Sequence, residues 1–128
     1  MDYVTDTGSL IWYLTNDSKL SGKAFDAFES SVIEGTIVVP TIVLAELFYI
    51  SRKRTIKLSF EDTLETIEQG ENYSIFPLDS NVIRTTATIE QYLEMHDKLI
   101  VATAKLLGLP LITNDTKIRE SRIVDIVW

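Results

Sequence analysis

The sequence predicts an α/β fold, a central parallel sheet with helices on both faces, forming a three-layer α/β/α sandwich. Two observations predict it. Short runs of apolar and β-branched residues alternate along the chain with longer segments whose apolar residues recur at helical spacing. The strand-like runs are apolar on both faces, as in a parallel sheet that is covered on both sides. Right-handed crossovers between parallel strands then distribute the helices over the two faces. A chain of 128 residues suits one domain with one core, expected to span residues 1–128.

The elements follow in order. Asp2 to Thr5 reads as the first strand, and Ser9 to Leu14 as a short helix with Leu10, Ile11 and Leu14 apolar. Leu20 to Ile33 is expected to be a second helix with Ala24, Phe25, Phe28 and Val32 on one face, stopped by Gly35. "TIVVP", Thr36 to Pro40, is a β-branched run and the second strand. A helix from Thr41 to about Arg52 starts directly after that proline. Ser59 to Gln69 is another helix, where Ser59 and Asp62 resemble a capping box and Gly70 closes the segment. "YSIFP", Tyr73 to Pro77, is the third strand. Asp79 to Leu93 is expected as a threonine-rich helix, and Asp97 to Leu107 as a helix with Leu99, Thr103, Leu106 and Leu107 on one side. Pro110 to Thr113 and Ile123 to Val127 complete the strands. No repeat, low-complexity tract or linker interrupts the pattern.

Composition narrows the chemistry. The chain has no cysteine, which excludes disulfides, thiol nucleophiles and cysteine zinc sites. "MDYVTD" lacks the charged and apolar regions of a signal peptide. Leu99 to Thr113, the most apolar stretch, is broken by Lys105, Gly108 and Pro110 and is too short to span a bilayer. A cytoplasmic protein is the expectation. Net charge is −7, from 12 Lys and Arg against 19 Asp and Glu. That balance disfavours nucleic-acid binding unless metal ions or a local basic patch intervene. Arg52, Lys53 and Arg54, with Lys57 close behind, form one such patch.

Four acids stand out by position. Ligands of parallel sheets bind outside the carboxyl ends of the strands, near the switch in strand order. Asp6 follows the first strand and Asp115 the fourth. Glu46 falls in "TIVLAELFYI", on the stripe Val43, Glu46, Leu47, Ile50, where an apolar side chain is expected. Asp97 opens the helix that leads to the fourth strand, and joins the others if that helix begins at the sheet's carboxyl edge. Buried carboxylates must be paired, protonated or metal-bound. The sequence sets no Arg or Lys beside each acid, so a hard divalent cation, Mg²⁺ or Mn²⁺, would resolve the repulsion. Such an ion activates water and offsets charge on a phosphate, which suits phosphodiester hydrolysis.

"YVTDTGSLIWYL", "PTIVLAELFYI" and "HDKLIVATAKLLGLPLITND", in this order, resemble the PIN domain, and within it the VapC-type toxins of toxin–antitoxin pairs. The likeness covers essentially the whole chain, and the last stretch is its most specific part. It implies a metal-dependent endoribonuclease with strand order 3-2-1-4-5 and a carboxylate cluster for Mg²⁺ or Mn²⁺. Matched to the family's acids, Asp6, Glu46, Asp97 and Asp115 are the implied catalytic and metal-binding residues, with Thr113 as the supporting hydroxyl. The resemblance also implies an RNA substrate, a homodimer and a cognate antitoxin. Two positions depart from the pattern. Gly8 replaces a common Ser or Asn, so a supporting hydroxyl must come from Thr7 or Ser9, and Lys98 replaces a small residue after the third acid.

Competing readings fit less well. A haloacid-dehalogenase-like phosphatase needs an Asp where Gly8 stands, and a response-regulator receiver needs paired acids after the first strand. A catalytically silent PIN-like module that binds a protein has no need of all four acids. His96 reads as a surface or capping residue, and "NDSKLSGK" as a loop and helix start with no full phosphate-loop pattern. Arg52, Lys53 and Arg54 read either as a solvated helix end or as an RNA contact. Phe25, Phe28, Phe48 and Tyr49 read as core or dimer interface.

Overall fold

The computed structural model describes residues 1–53 and 55–128. These form β1 (Asp2–Thr5), α1 (Thr7–Leu14), α2 (Gly22–Glu34), β2 (Thr36–Pro40), α3 (Thr41–Ser51) and α4 (Phe60–Gln69). There follow β3 (Tyr73–Phe76), α5 (Ser80–Ala87), α6 (Met95–Leu107), β4 (Leu111–Ile112), α7 (Thr116–Ser121) and β5 (Ile126–Val127). The five strands make one sheet in the order β3-β2-β1-β4-β5, every pair parallel, as the α/β/α expectation requires.

The central strand is β1, with Val4 in register with Val38 on one side and Leu111 on the other. Val4 is fully buried, and Ile37, Val38, Val39 and Pro40 of β2 are all buried, which is why "TIVVP" shows no alternation. From β1 the chain moves outward through β2 and β3, then returns to place β4 and β5 on the opposite flank. The switch in strand order therefore lies at the carboxyl end of β1, directly before Asp6. Helices cover the sheet with Leu10 and Phe28, with Val43 and Leu47, and with Ile100 and Val101, all buried. No helix among the described residues is long and apolar enough to cross a membrane.

Several element boundaries differ from the expectation for identifiable reasons. The helix expected over Asp79–Leu93 ends at Ala87. Thr85 and Thr86 bond their hydroxyls back to the carbonyls of Asn81 and Val82, and Thr88 bonds to Thr85, which offers the backbone an alternative to further helix. Ile89 and Leu93 stay buried although the segment between them is irregular. On α2 the buried face is Ala24, Ala27, Phe28 and Ser31; Phe25 and Val32 lie outward, so the expected face was rotated by about one residue. Leu106 of α6 is likewise exposed. The helix α6 begins at Met95, two residues before Asp97, and ends at Gly108, whose φ of 65° is left-handed and suits a residue without Cβ. Helix α7 was not expected. The ladders of β4 and β5 are shorter than read, yet the Pro110 carbonyl accepts from the Val4 N–H at 2.9 Å, so the flanking residues still serve the sheet.

Candidate active site

Three of the four predicted acids, Asp6, Asp115 and Glu46, are held by hydrogen bonds to neighbouring groups. Asp6 leaves β1 in an extended conformation and caps α1, its Oδ1 accepting from the Ser9 N–H at 2.9 Å. Asp115 caps α7 in the same way, Oδ1 accepting from the Ile118 N–H at 2.9 Å. Strand-then-aspartate thus has a plain cause in both places: a helix follows at once, and its first amide needs an acceptor. Thr113 joins the two acids. Its hydroxyl donates to Asp6 Oδ2 and accepts from the Asp115 N–H at 3.1 Å, and the residue itself is fully buried. Glu46 is partly buried on α3, and the Thr7 hydroxyl donates to its Oε1 at 2.8 Å. Of the two hydroxyls that stood in for the side chain missing at Gly8, Thr7 therefore holds a carboxylate. The Ser9 hydroxyl lies near enough to Asp6 to favour its charged form, but it makes no hydrogen bond of good geometry.

The electrostatics tie the acids together. Burial pushes the Asp6 carboxyl up, against the hydrogen bonds from Ser9 and Thr113, and the Asp115 carboxylate adds to the rise. Asp97, in the first turn of α6, is pushed up to about 6, first by partial burial and then by the negative charge of Asp115, Glu94, Glu46 and Asp6. All four predicted acids therefore share one electrostatic neighbourhood at the carboxyl edge of the sheet. The sequence reading missed Glu94, which precedes α6 three residues before Asp97; that i, i+3 spacing at a helix start is the signal that could have found it. Glu94 also accepts from His96 Nδ1 at 2.8 Å and pushes that imidazole up, so His96 is a partner of a carboxylate and partly exposed.

Among the described residues no Lys, Arg or His forms an ion pair with Asp6, Glu46, Asp97 or Asp115. Hard oxygen donors with uncompensated charge fit Mg²⁺ or Mn²⁺. As placed, no three acidic or histidine side chains among the described residues are grouped closely enough to enclose an ion. Two cavities flank the cluster. One, about 330 Å³, is lined by Ala45, Glu46, Tyr49, Ile50, Lys53 and His96. The other, about 270 Å³, is lined by Asp6, Gly8, Ser9, Trp12, Asn114 and Asp115.

The basic patch divides. Lys53 reaches the first cavity, Arg52 stacks over the Phe48 ring at 4.7 Å, and Arg54 lies outside the described residues. Lys98 has a structural tie, donating to the Ile89 carbonyl at 3.3 Å and holding the irregular segment before α6.

The fold and the sequence both have relatives. A chain in the crystal structure of VapBC2 from Rickettsia felis, bound to a DNA fragment from their promoter, superposes with a TM-score of 0.75 at 20% identity, covering 98% of this chain and 97% of that one. A DNA-bound VapBC from Salmonella typhimurium is similar at a TM-score of 0.72 and 19% identity, covering 98% and 96%. FitAcB from Neisseria gonorrhoeae is similar at a TM-score of 0.72 and 21% identity, covering 97% and 95%. At such identities these likenesses speak for the fold alone. No curated protein sequence matches the chain. The sequence profile of the PIN domain matches residues 3–123, nearly the full length, and with the sheet order and the acids at its switch point it shows that the chain belongs to the PIN domain family.

Proposed function

We propose that residues 1–128 form one PIN domain that acts in the cytoplasm as a metal-dependent endoribonuclease, as the toxin of a toxin–antitoxin pair and as a homodimer. The observation that carries this reading is Asp97, pushed up to about 6 by burial and by four neighbouring carboxylates, with no basic side chain among the described residues paired to the cluster. Asp6, Asp97 and Asp115 would hold Mg²⁺ or Mn²⁺, with Glu46 completing the set directly or through water. The bound ion would supply positive charge for the phosphate and lower the pKa of a water. Thr113 fixes Asp6 and orients the Asp115 backbone, and Thr7 fixes Glu46, so metal binding would draw the carboxylates inward from hydrogen-bonded positions. Hydrolysis adds a water oxygen to phosphorus as the bond to the departing 3′ oxygen breaks, and no protein side chain needs to form a covalent bond. Lys53, which lines one cavity with Glu46, would meet an RNA phosphate, and Arg52 would extend that contact.

A second reading, a silent PIN module that only binds a protein, is favoured by one observation: the acids as placed do not close around an ion. A melt separates the two. If the cluster binds metal, millimolar Mn²⁺ raises Tm and EDTA reverses it. The same preparation should cut single-stranded RNA with Mn²⁺, and Asp97→Asn should not. A melt indifferent to Mn²⁺ at matched ionic strength, together with intact RNA, sinks the nuclease reading.

A further inference from the structure

The cavity bounded by Asp6, Gly8, Ser9, Trp12, Asn114 and Asp115 has features that holding a metal does not require. Trp12 is only partly buried and borders a second cavity lined by Asn16, Asp17 and Phe25 as well. Its ring is steadied by Trp128, 5.8 Å away at 56°. Asn114 is exposed and carries an amide that both donates and accepts. Ser9 Oγ is the one buried side-chain polar atom among the described residues that has no hydrogen-bond partner. Ser9 also lines the cavity, with its Oγ set behind the wall beside Asp6. Gly8 lines the cavity, and an added Cβ there would meet nothing within 4 Å, so a side chain at this position has room. Its volume of about 270 Å³ falls just below the ~300–1,000 Å³ of sites for drug-sized ligands, which suits a single base.

We propose that this cavity seats one nucleobase of single-stranded RNA next to the cleaved phosphodiester, with Trp12 as its stacking surface and the Asn114 amide reading its edge. The proposal rests on the ribonuclease reading above and adds a specificity pocket to it. Single-stranded RNA is recognised through unstacked bases laid on aromatic rings and read at their edges, and this cavity offers both within one wall of the carboxylate cluster. Lys19 Nζ, 5.9 Å from the Trp12 ring centroid, is paired with the Asp17 carboxylate at 3.8 Å and would have to exchange it to meet a neighbouring phosphate. The Thr7–Glu46 side of the cluster has no exposed amide in its cavity, so the two flanks are not equivalent.

The test uses the chain's two tryptophans. In Trp128→Phe, Trp12 is the sole indole. In EDTA, where no cleavage occurs, a short single-stranded RNA should quench Trp12 emission as it binds, with binding followed separately by anisotropy of the labelled RNA. An abasic oligonucleotide should bind without the quench. Gly8→Leu fills the cavity and should weaken RNA binding by about tenfold or more. It should keep the Mn²⁺-induced rise in Tm, because no carboxylate is touched. Asn114→Ala, a surface change, should alter which base flanks the cut sites when cleavage ends are sequenced. RNA that binds without quenching Trp12, or a Gly8→Leu protein that binds and cuts as the unsubstituted chain does, overturns the pocket and leaves the nuclease reading standing. A protein that neither binds nor cuts RNA overturns both.

Discussion

At the residue scale, Asp6 and Asp115 carry two roles that substitution can separate. Each caps a helix with one carboxylate oxygen and contributes charge to the cluster. Asparagine caps about as well as aspartate, and alanine loses about 1 kcal/mol at such a position. Asp115→Asn should therefore leave the unfolding free energy nearly unchanged, Asp115→Ala should lower it by about 1 kcal/mol, and both should abolish RNA cleavage. Denaturant melts beside a cleavage assay check this; an active Asp115→Asn protein counts against a metal role. Asp97 sets a pH dependence of opposite sign to the usual carboxylate. Its ordinary pKa of 3.8 rises to about 6 in the fold, so the folded state holds more protons than the unfolded one between those values. The stability it contributes is full below about pH 4 and is lost as pH rises through about 6. In EDTA, Asp97→Asn should thus gain Tm relative to the unsubstituted chain as pH passes 6, and the gap should close toward pH 4. Protons compete with metal at the same group, so the Mn²⁺-induced rise in Tm should shrink below pH 6. Asp6 and Asp115 were legible because strand followed by acid is a local pattern, whereas the pairing of Thr7 with Glu46 spans 39 positions and needs the fold.

At the scale of elements, legibility followed how fully packing dictates the pattern. The buried strand β2 and the helix after it read correctly because every residue from Ile37 to Pro40 is enclosed. The segment after Ala87 read as the end of a threonine-rich helix over Asp79–Leu93, and its Ile89 and Leu93 are buried although it is irregular. The threonine hydroxyls, and the bonds from Lys98 to Ile89 and from Lys105 to Thr88, decided its path instead. Helix α3 shows how an element aims a functional group. Val43 and Leu47 are buried and fix the rotation of the helix, which sends Glu46 toward Thr7 and leaves Tyr49 outside at 71% exposure. Leu47→Ala should cost about 2–5 kcal/mol, while Tyr49→Ala should stay within about 0.5 kcal/mol, as urea unfolding would report. Equal losses at the two positions would mean that α3 is seated on a different face.

For the whole molecule, the net charge of −7 and a set of acids with no ion-pair partner among the described residues set the terms on which a partner could silence the site. An antitoxin segment needs a cation for the carboxylates and apolar groups for the surface beside them. The cavity of about 330 Å³ formed by Ala45, Glu46, Tyr49, Ile50, Lys53 and His96 supplies that surface, with exposed Tyr49 at its rim. An arginine suits the role, because its planar guanidinium matches carboxylate oxygens in pairs and would stand where a metal stands. We therefore predict that a small antitoxin lays its carboxyl-terminal segment along α3, beside Glu46 and Asp97, and inserts an Arg or Lys into the cluster. Lys53 lies at that rim and Glu94 pushes the His96 imidazole toward its charged form, so the remainder of the segment should be neutral or acidic there. Binding should compete with Mn²⁺ and weaken as salt rises, since ion pairs at the open edge are screened. Tyr49→Ala should weaken the complex by about tenfold while RNA cleavage by the free protein is retained. The check is to co-express the chain with the protein encoded by the adjacent reading frame, purify the pair, and titrate Mn²⁺ calorimetrically into free and complexed protein. If the pair forms with undiminished Mn²⁺ affinity, the antitoxin blocks RNA access from elsewhere and no basic side chain occupies the cluster.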